Sequence, residues 1–158
     1  MAEQARPEFA LQRIYLSDVS FEAPNSPEVF MVNEKPAVDV KLDTSHRQVN
    51  DSLYQVTVKI TATVTFGEKT AFLAEVQQSG AFRIVNIEGK ELAHTLNAFC
   101  PNILFPYARE AVDALVVKGG FPPLMIAPVN FEAIYAQRLQ KAAEVAEQAG
   151  AADESKPA

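Results

Sequence analysis

The sequence predicts an α+β fold: a four-stranded antiparallel sheet followed by helices packed on one of its faces. Three observations predict it. Residues 53–66 alternate apolar and polar without a fault, residues 101–118 read as a strongly apolar helix, and the Gly119-Gly120 pair ends that helix sharply.

The opening segment Phe9–Glu22 reads as extended, but its apolar pattern slips near Ile14-Tyr15-Leu16, which predicts a bulge or a change of neighbour. Ala23–Met31 is a proline-rich crossover that carries exposed apolar residues. A second strand, Val38–Thr44, alternates cleanly and is followed by an Asn50-Asp51 turn. The third strand spans residues 53–66, with Tyr54, Val56, Val58, Ile60, Ala62, Val64 and Phe66 on one side. Gly67-Glu68-Lys69 forms a hairpin loop into a fourth strand, Thr70–Ser79, and the character changes after Gly80. Gly89–Phe99 is a short amphipathic helix, and Phe121–Pro128 holds too many prolines for a helix, so it runs over the surface as a loop. Asn130 caps a last helix, flanked by Val129 and Ile134 at the staple positions. Residues 1–148 are expected to form one domain, and the tail 149–158 to be disordered.

The long helix is the most informative element. At 100° per residue its apolar side chains, from Ile103 and Tyr107 through Ala108 and Ala111 to Val116, fill an arc of about 220°. A helix lying on one core needs only about 100°. The surplus predicts a second surface, most simply another copy of the chain, and Ala108, Ala111 and Ala114 would let it approach closely.

A chain of 158 residues with 48% hydrophobic and 22% charged content is ordinary for one globular domain. The net charge of −6 argues against non-specific nucleic-acid binding and favours a basic partner. A single cysteine, Cys100, excludes an internal disulfide and fits a reducing compartment. The first fifteen residues carry charges throughout, unlike a secretory signal, and apolar runs such as Ala114–Val117 fall far short of a bilayer span. The expected location is the cytoplasm.

Catalytic chemistry is not evident. His46 and His94 lack partners at metal-ligand spacing, and Cys100 stands about 120° from His94 on a helical wheel, so it reads as a buried small hydrophobe. Gly89-Lys90 lacks the rest of a phosphate loop. No cofactor is called for. What stands out is apolar surplus in loops and at the last helix start: Phe30, Met31, Phe121, Leu124, Met125, Phe131 and Tyr135. These side chains either complete a small core or line a groove for apolar peptide.

Several blocks are similar to the bacterial protein-export chaperone family SecB, over about Phe9 to Leu139. They are Arg13-Ile-Tyr, Phe21-Glu-Ala-Pro-Asn25, Thr70-Ala-Phe-Leu73, Glu75-Val-Gln-Gln78, Ile87-Glu-Gly89, Cys100-Pro-Asn-Ile-Leu-Phe-Pro-Tyr-Ala-Arg-Glu110 and Ala127-Pro-Val-Asn-Phe131. The resemblance implies a homotetramer assembled as a dimer of dimers, with long helices between two sheets. It implies Ala74, Val76 and Gln78 toward the dimer–dimer interface, which Tyr107, Ala108 and Ala111 would share. It implies an ATP-independent chaperone, not an enzyme, that holds unfolded preproteins and passes them to the motor SecA. By residue match, Asp18, Glu22, Leu73 and Glu75 would contact a basic segment of SecA. Clients would lie in grooves bounded by the crossover, the second strand and the last helix, with Phe30, Met31, Val40, Leu42, Phe121, Phe131, Ile134 and Tyr135 as the contact residues. Many relatives carry a tryptophan in the crossover; Glu34 stands about there in this chain, which has no Trp.

Two rival readings accompany this one. A small tetrameric thioesterase-like hot-dog enzyme would use Glu110 or Asp113 on the central helix. A chaperone dedicated to a single partner would keep the fold and lose the export role.

Overall fold

In the computed structural model, which describes residues 5–154, four strands pair antiparallel in the order β1-β4-β3-β2. They are β1 (Glu8–Glu22), β2 (Ala37–Gln48), β3 (Leu53–Phe66) and β4 (Lys69–Val85). Strand β3 has the predicted limits: it is rich in β-branched residues, and its apolar and polar side chains alternate to Phe66. Strand β1 takes two one-residue bulges, at Gln12 and Ser17, on either side of the predicted slip. They keep Leu11, Ile14, Leu16, Val19 and Phe21 opposite inward residues of β4 despite their irregular spacing.

Strand β4 runs six residues past the expected end at Ser79. Gly80 marks close packing, not termination: a Cβ there would stand 2.6 Å from the Phe82 ring and 2.9 Å from Leu104. The alternation then resumes, with Phe82 and Ile84 buried.

The helices predicted as two form one continuous run: α1 (Gly89–His94), a π turn (Thr95–Phe99) and α2 (Cys100–Lys118). The π turn falls just before Pro101, which has no N–H for the Asn97 carbonyl and whose ring would crowd it. Leu104, Ala108, Val112 and Val116 recur every fourth residue and lie buried with Val58, Ile60, Ala62, Ala74 and Val76 in a single core. The predicted stop after Lys118 has a physical basis in left-handed Gly120 and the Phe121 N–H bond to the Val116 carbonyl, 3.1 Å.

The loop from Phe121 is braced on α2: the Asp113 carboxylate accepts the N–H groups of Leu124 (2.9 Å) and Met125 (3.3 Å), and Arg109 donates to the Ile126 carbonyl (3.3 Å). Asn130 caps α3 (Phe131–Glu154) by accepting the Ala133 N–H at 3.1 Å. The helix continues through 149–154, where the sequence reading expects disorder. Alanine and acidic residues there are compatible with helix, and one glycine does not break it. The end of that tail, 155–158, lies outside the described residues.

Candidate functional site

An α-helix is about 10–12 Å across and strands lie about 4.8 Å apart, so one helix covers roughly two strands. Here α2 packs chiefly over β4 and β3. The edge strands keep part of their inward rows bare. On β1 these are Leu16 and Val19; on β2 they are Val38, 53% exposed, and Val40, 39% exposed. The β2 row Val38, Val40, Leu42, Thr44 lies opposite Val64, Ala62, Ile60 and Val58 of the covered strand.

Beside β2 the bare row gains a second wall. Near Val38 a depression of about 270 Å3 is walled by Val64, Phe66, Phe72, Phe121 and Leu124. About four residues along the strand, roughly 14 Å, a smaller one of about 80 Å3 is lined by Leu42, Thr44, Asn97, Phe131, Ile134 and Arg138. Val40 lies between the two on the same strand face. A chain of rings leads from the interior to the rim: Phe21 on Phe72 (5.8 Å), Phe72 on Phe121 (4.8 Å), and Phe121 on half-exposed Phe30 (5.1 Å). Asn25 ties the crossover to β4 through the Thr70 carbonyl at 2.9 Å.

The eight residues read from the sequence as client contacts therefore divide. Val40, Leu42, Ile134 and Phe30 lie along the track or its rim. Phe121 and Phe131 form its floor: Phe131 is only 3% exposed and packs edge-on against Phe105 at 5.8 Å, so it anchors α3. Tyr135 sits beside the His94 ring at 5.9 Å and lines neither depression, and Met31 is exposed outside both. Val38, Phe66 and Phe72 were not singled out from the sequence, and Leu124 stood out only in the apolar surplus of its loop. Val38 was within reach, being two residues before Val40 on the same strand face.

Asp18, Glu22, Leu73 and Glu75 share the opposite, outward sheet face: Asp18 pairs with Gln77, Glu22 with Leu73, and Ser20 with Glu75. Lys59 reaches Glu75 at 3.6 Å, so that carboxylate is partly balanced. Of the residues assigned to assembly, Ala74, Val76, Gln78 and Ala108 are buried within this one chain, beneath or on α2. The outer side of α2 instead presents Tyr107, Pro106 and Val117, with Ala111 and Ala114 half-buried.

The reactive groups are otherwise engaged. Burial pushes the Cys100 thiol up to about 12, and His94 Nε2 meets Glu132 at 2.6 Å. Asp113 is taken up by the loop backbone. Among the described residues no cluster of His, Cys, Asp or Glu could hold a metal ion, and no helix is long and apolar enough to cross a membrane.

The family description "Preprotein translocase subunit SecB" matches residues 2–142. Among relatives called protein-export protein SecB, that of Chromohalobacter salexigens is 55% identical over 92% of this chain and 90% of its own. That of Marinobacter nauticus is 55% identical over 96% and 90%, and that of Pseudomonas aeruginosa 52% over 91% of each. Among solved structures, the SecB-like chaperone Rv1957 of Mycobacterium tuberculosis, in complex with a ChAD peptide from the HigA1 antitoxin, has the same fold. It gives a TM-score of 0.64 at 16% identity, covering 77% of this chain and 90% of that one. A match running almost from end to end, with half the residues shared, means that this chain belongs to the SecB family of protein-export chaperones, which are not enzymes.

Proposed function

We propose that this chaperone holds extended, apolar stretches of unfolded preproteins along the β2 track, acts in the cytoplasm as a dimer of dimers, and passes clients to SecA through its outward sheet face. One observation carries the groove: a row of β2 side chains built like those of the core stays uncovered and faces a wall of loop and α3. Burying one large client side chain contributes roughly 1.5–3 kcal/mol, whereas ordering a client residue costs on the order of 1–2 kcal/mol. One depression therefore barely holds a segment. Two along one strand, repeated over four copies, give binding by summed contacts. Folded proteins hide such side chains, so binding selects the unfolded state and keeps it unfolded by mass action.

The apolar outer side of α2, with Tyr107 51% exposed, supports a second copy packing there. Asp18, Glu22 and Glu75 on one face, with a net charge of −6 per chain, support docking of a basic segment.

The test is a Val38→Ser, Val40→Ser double variant, assayed for suppressing the refolding of a slow-folding client. Suppression should fall several-fold while the mass in solution stays unchanged. Undiminished suppression would remove the groove assignment.

A further inference from the structure

The outward sheet face is electrically divided. One end carries Asp18, Glu22, Asp39, Asp43 and Glu75, with Lys41 and Lys59 among them. Four residues further along β4 from Gln77, about 14 Å at the strand rise, the row Arg13–Ala81–Gln55–Arg47 crosses the sheet. Arg83 stands one outward position beyond Ala81. All three arginines are exposed.

Hydrogen bonds fix the middle of this end. Arg47 donates its Nε–H to Gln55 Oε1 at 2.7 Å, and Gln55 donates through Nε2 to the Tyr15 hydroxyl at 2.6 Å. Arg47 keeps its Nη groups for another acceptor, and the Tyr15 oxygen, already accepting, keeps its own proton to donate. Glu8 meets Arg83 at 3.2 Å. Ala81 presents only a methyl group between Arg13 and Gln55. The row thus offers positive charge and hydrogen-bond donors in a fork geometry that suits carboxylates.

We propose that this basic end binds an acidic peptide segment of a protein partner, with carboxylates on Arg13 and Arg47. The proposal rests on the reading of this face as a docking surface and adds a second subsite of opposite sign, so that a partner bearing basic and acidic stretches binds in one direction. A nucleic acid fits poorly, because a polyanion continuing along the face meets the five carboxylates of the other end.

The experiment titrates the full chain at low salt with fluorescent peptides of Glu-Ala repeats and of Lys-Ala repeats, and with a single-stranded oligonucleotide of matching charge. The acidic peptide should bind, and Arg13→Ala with Arg47→Ala should weaken it at least about tenfold, equal to 1.4 kcal/mol, without affecting the basic peptide. Arg13→Gln alone, at an exposed position, should show a smaller loss in the same direction. Failure of the acidic peptide to bind, equal binding by the double variant, or tighter binding of the oligonucleotide would overturn the proposal. Asp18→Lys with Glu75→Lys reports separately on the acidic end: if basic-peptide binding survives it while the acidic-peptide results hold, only the SecA-docking assignment falls.

Discussion

Strands β3 and β2 are neighbours, pair in register and send the same kind of side chain to the same side of the sheet. Val58, Ile60 and Ala62 of β3 are fully buried, whereas Val38 and Val40 of β2 are about half exposed. The difference is cover, not chemistry: α2 lies over one strand and stops short of the other. An alternating strand can be core or binding surface, and the breadth of the helix laid across it decides which.

The sharpest way to break the comparison is to truncate one residue on each strand. Ile60→Ala should cost about 2–5 kcal/mol in denaturant unfolding, because it opens a cavity under α2. At the other end of the scale, Val40→Ala should change stability by less than about 1 kcal/mol and weaken client binding instead. Comparable losses of stability would mean that β2 is covered after all.

Between these limits lies Cys100, buried at the start of the same helix. Its pKa rises from 9.0 unfolded to about 12 folded, because burial disfavours the thiolate. The folded state then holds its proton where the unfolded state gives it up. This stabilisation is fully present below about pH 9 and is lost as pH climbs toward 12. Unfolding curves of Cys100→Ala should lack that alkaline slope; an identical slope would refute the assignment.

A smaller effect sharpens the other wall of the track. Asn130→Ala removes the cap of α3 and should cost about 1 kcal/mol. Hydrogen exchange in the first turn of α3 should rise while that of β3 stays unchanged. Exchange that rises in both would show α3 to be part of the central cooperative unit.

Much of this was legible in the sequence. Alternation marked three strands because side chains on a strand repeat every second residue, the first strand read as extended despite its slip, and the Gly119-Gly120 pair marked the end of α2. Two features were misread for local reasons. Gly80 looks like a terminator until Leu104 and Phe82 are seen to need its missing Cβ, and the Thr95–Phe99 π turn joins what the sequence presents as two helices. The groove was legible only in part. Val40 and Leu42 announce an apolar face, but Phe131 looks the same in sequence whether it caps a wall or fills the core.

By itself the sequence determined the elements, the side of each strand that is apolar, and an excess of apolar surface over what one chain can hide. Only the tertiary structure decided where that excess lies. One helix covers about two strands, so placing α2 over β3 and β4 left β2 bare beside the Phe121–Leu124 loop and the first turns of α3. That placement depends on contacts between residues far apart in the chain, which no local pattern encodes.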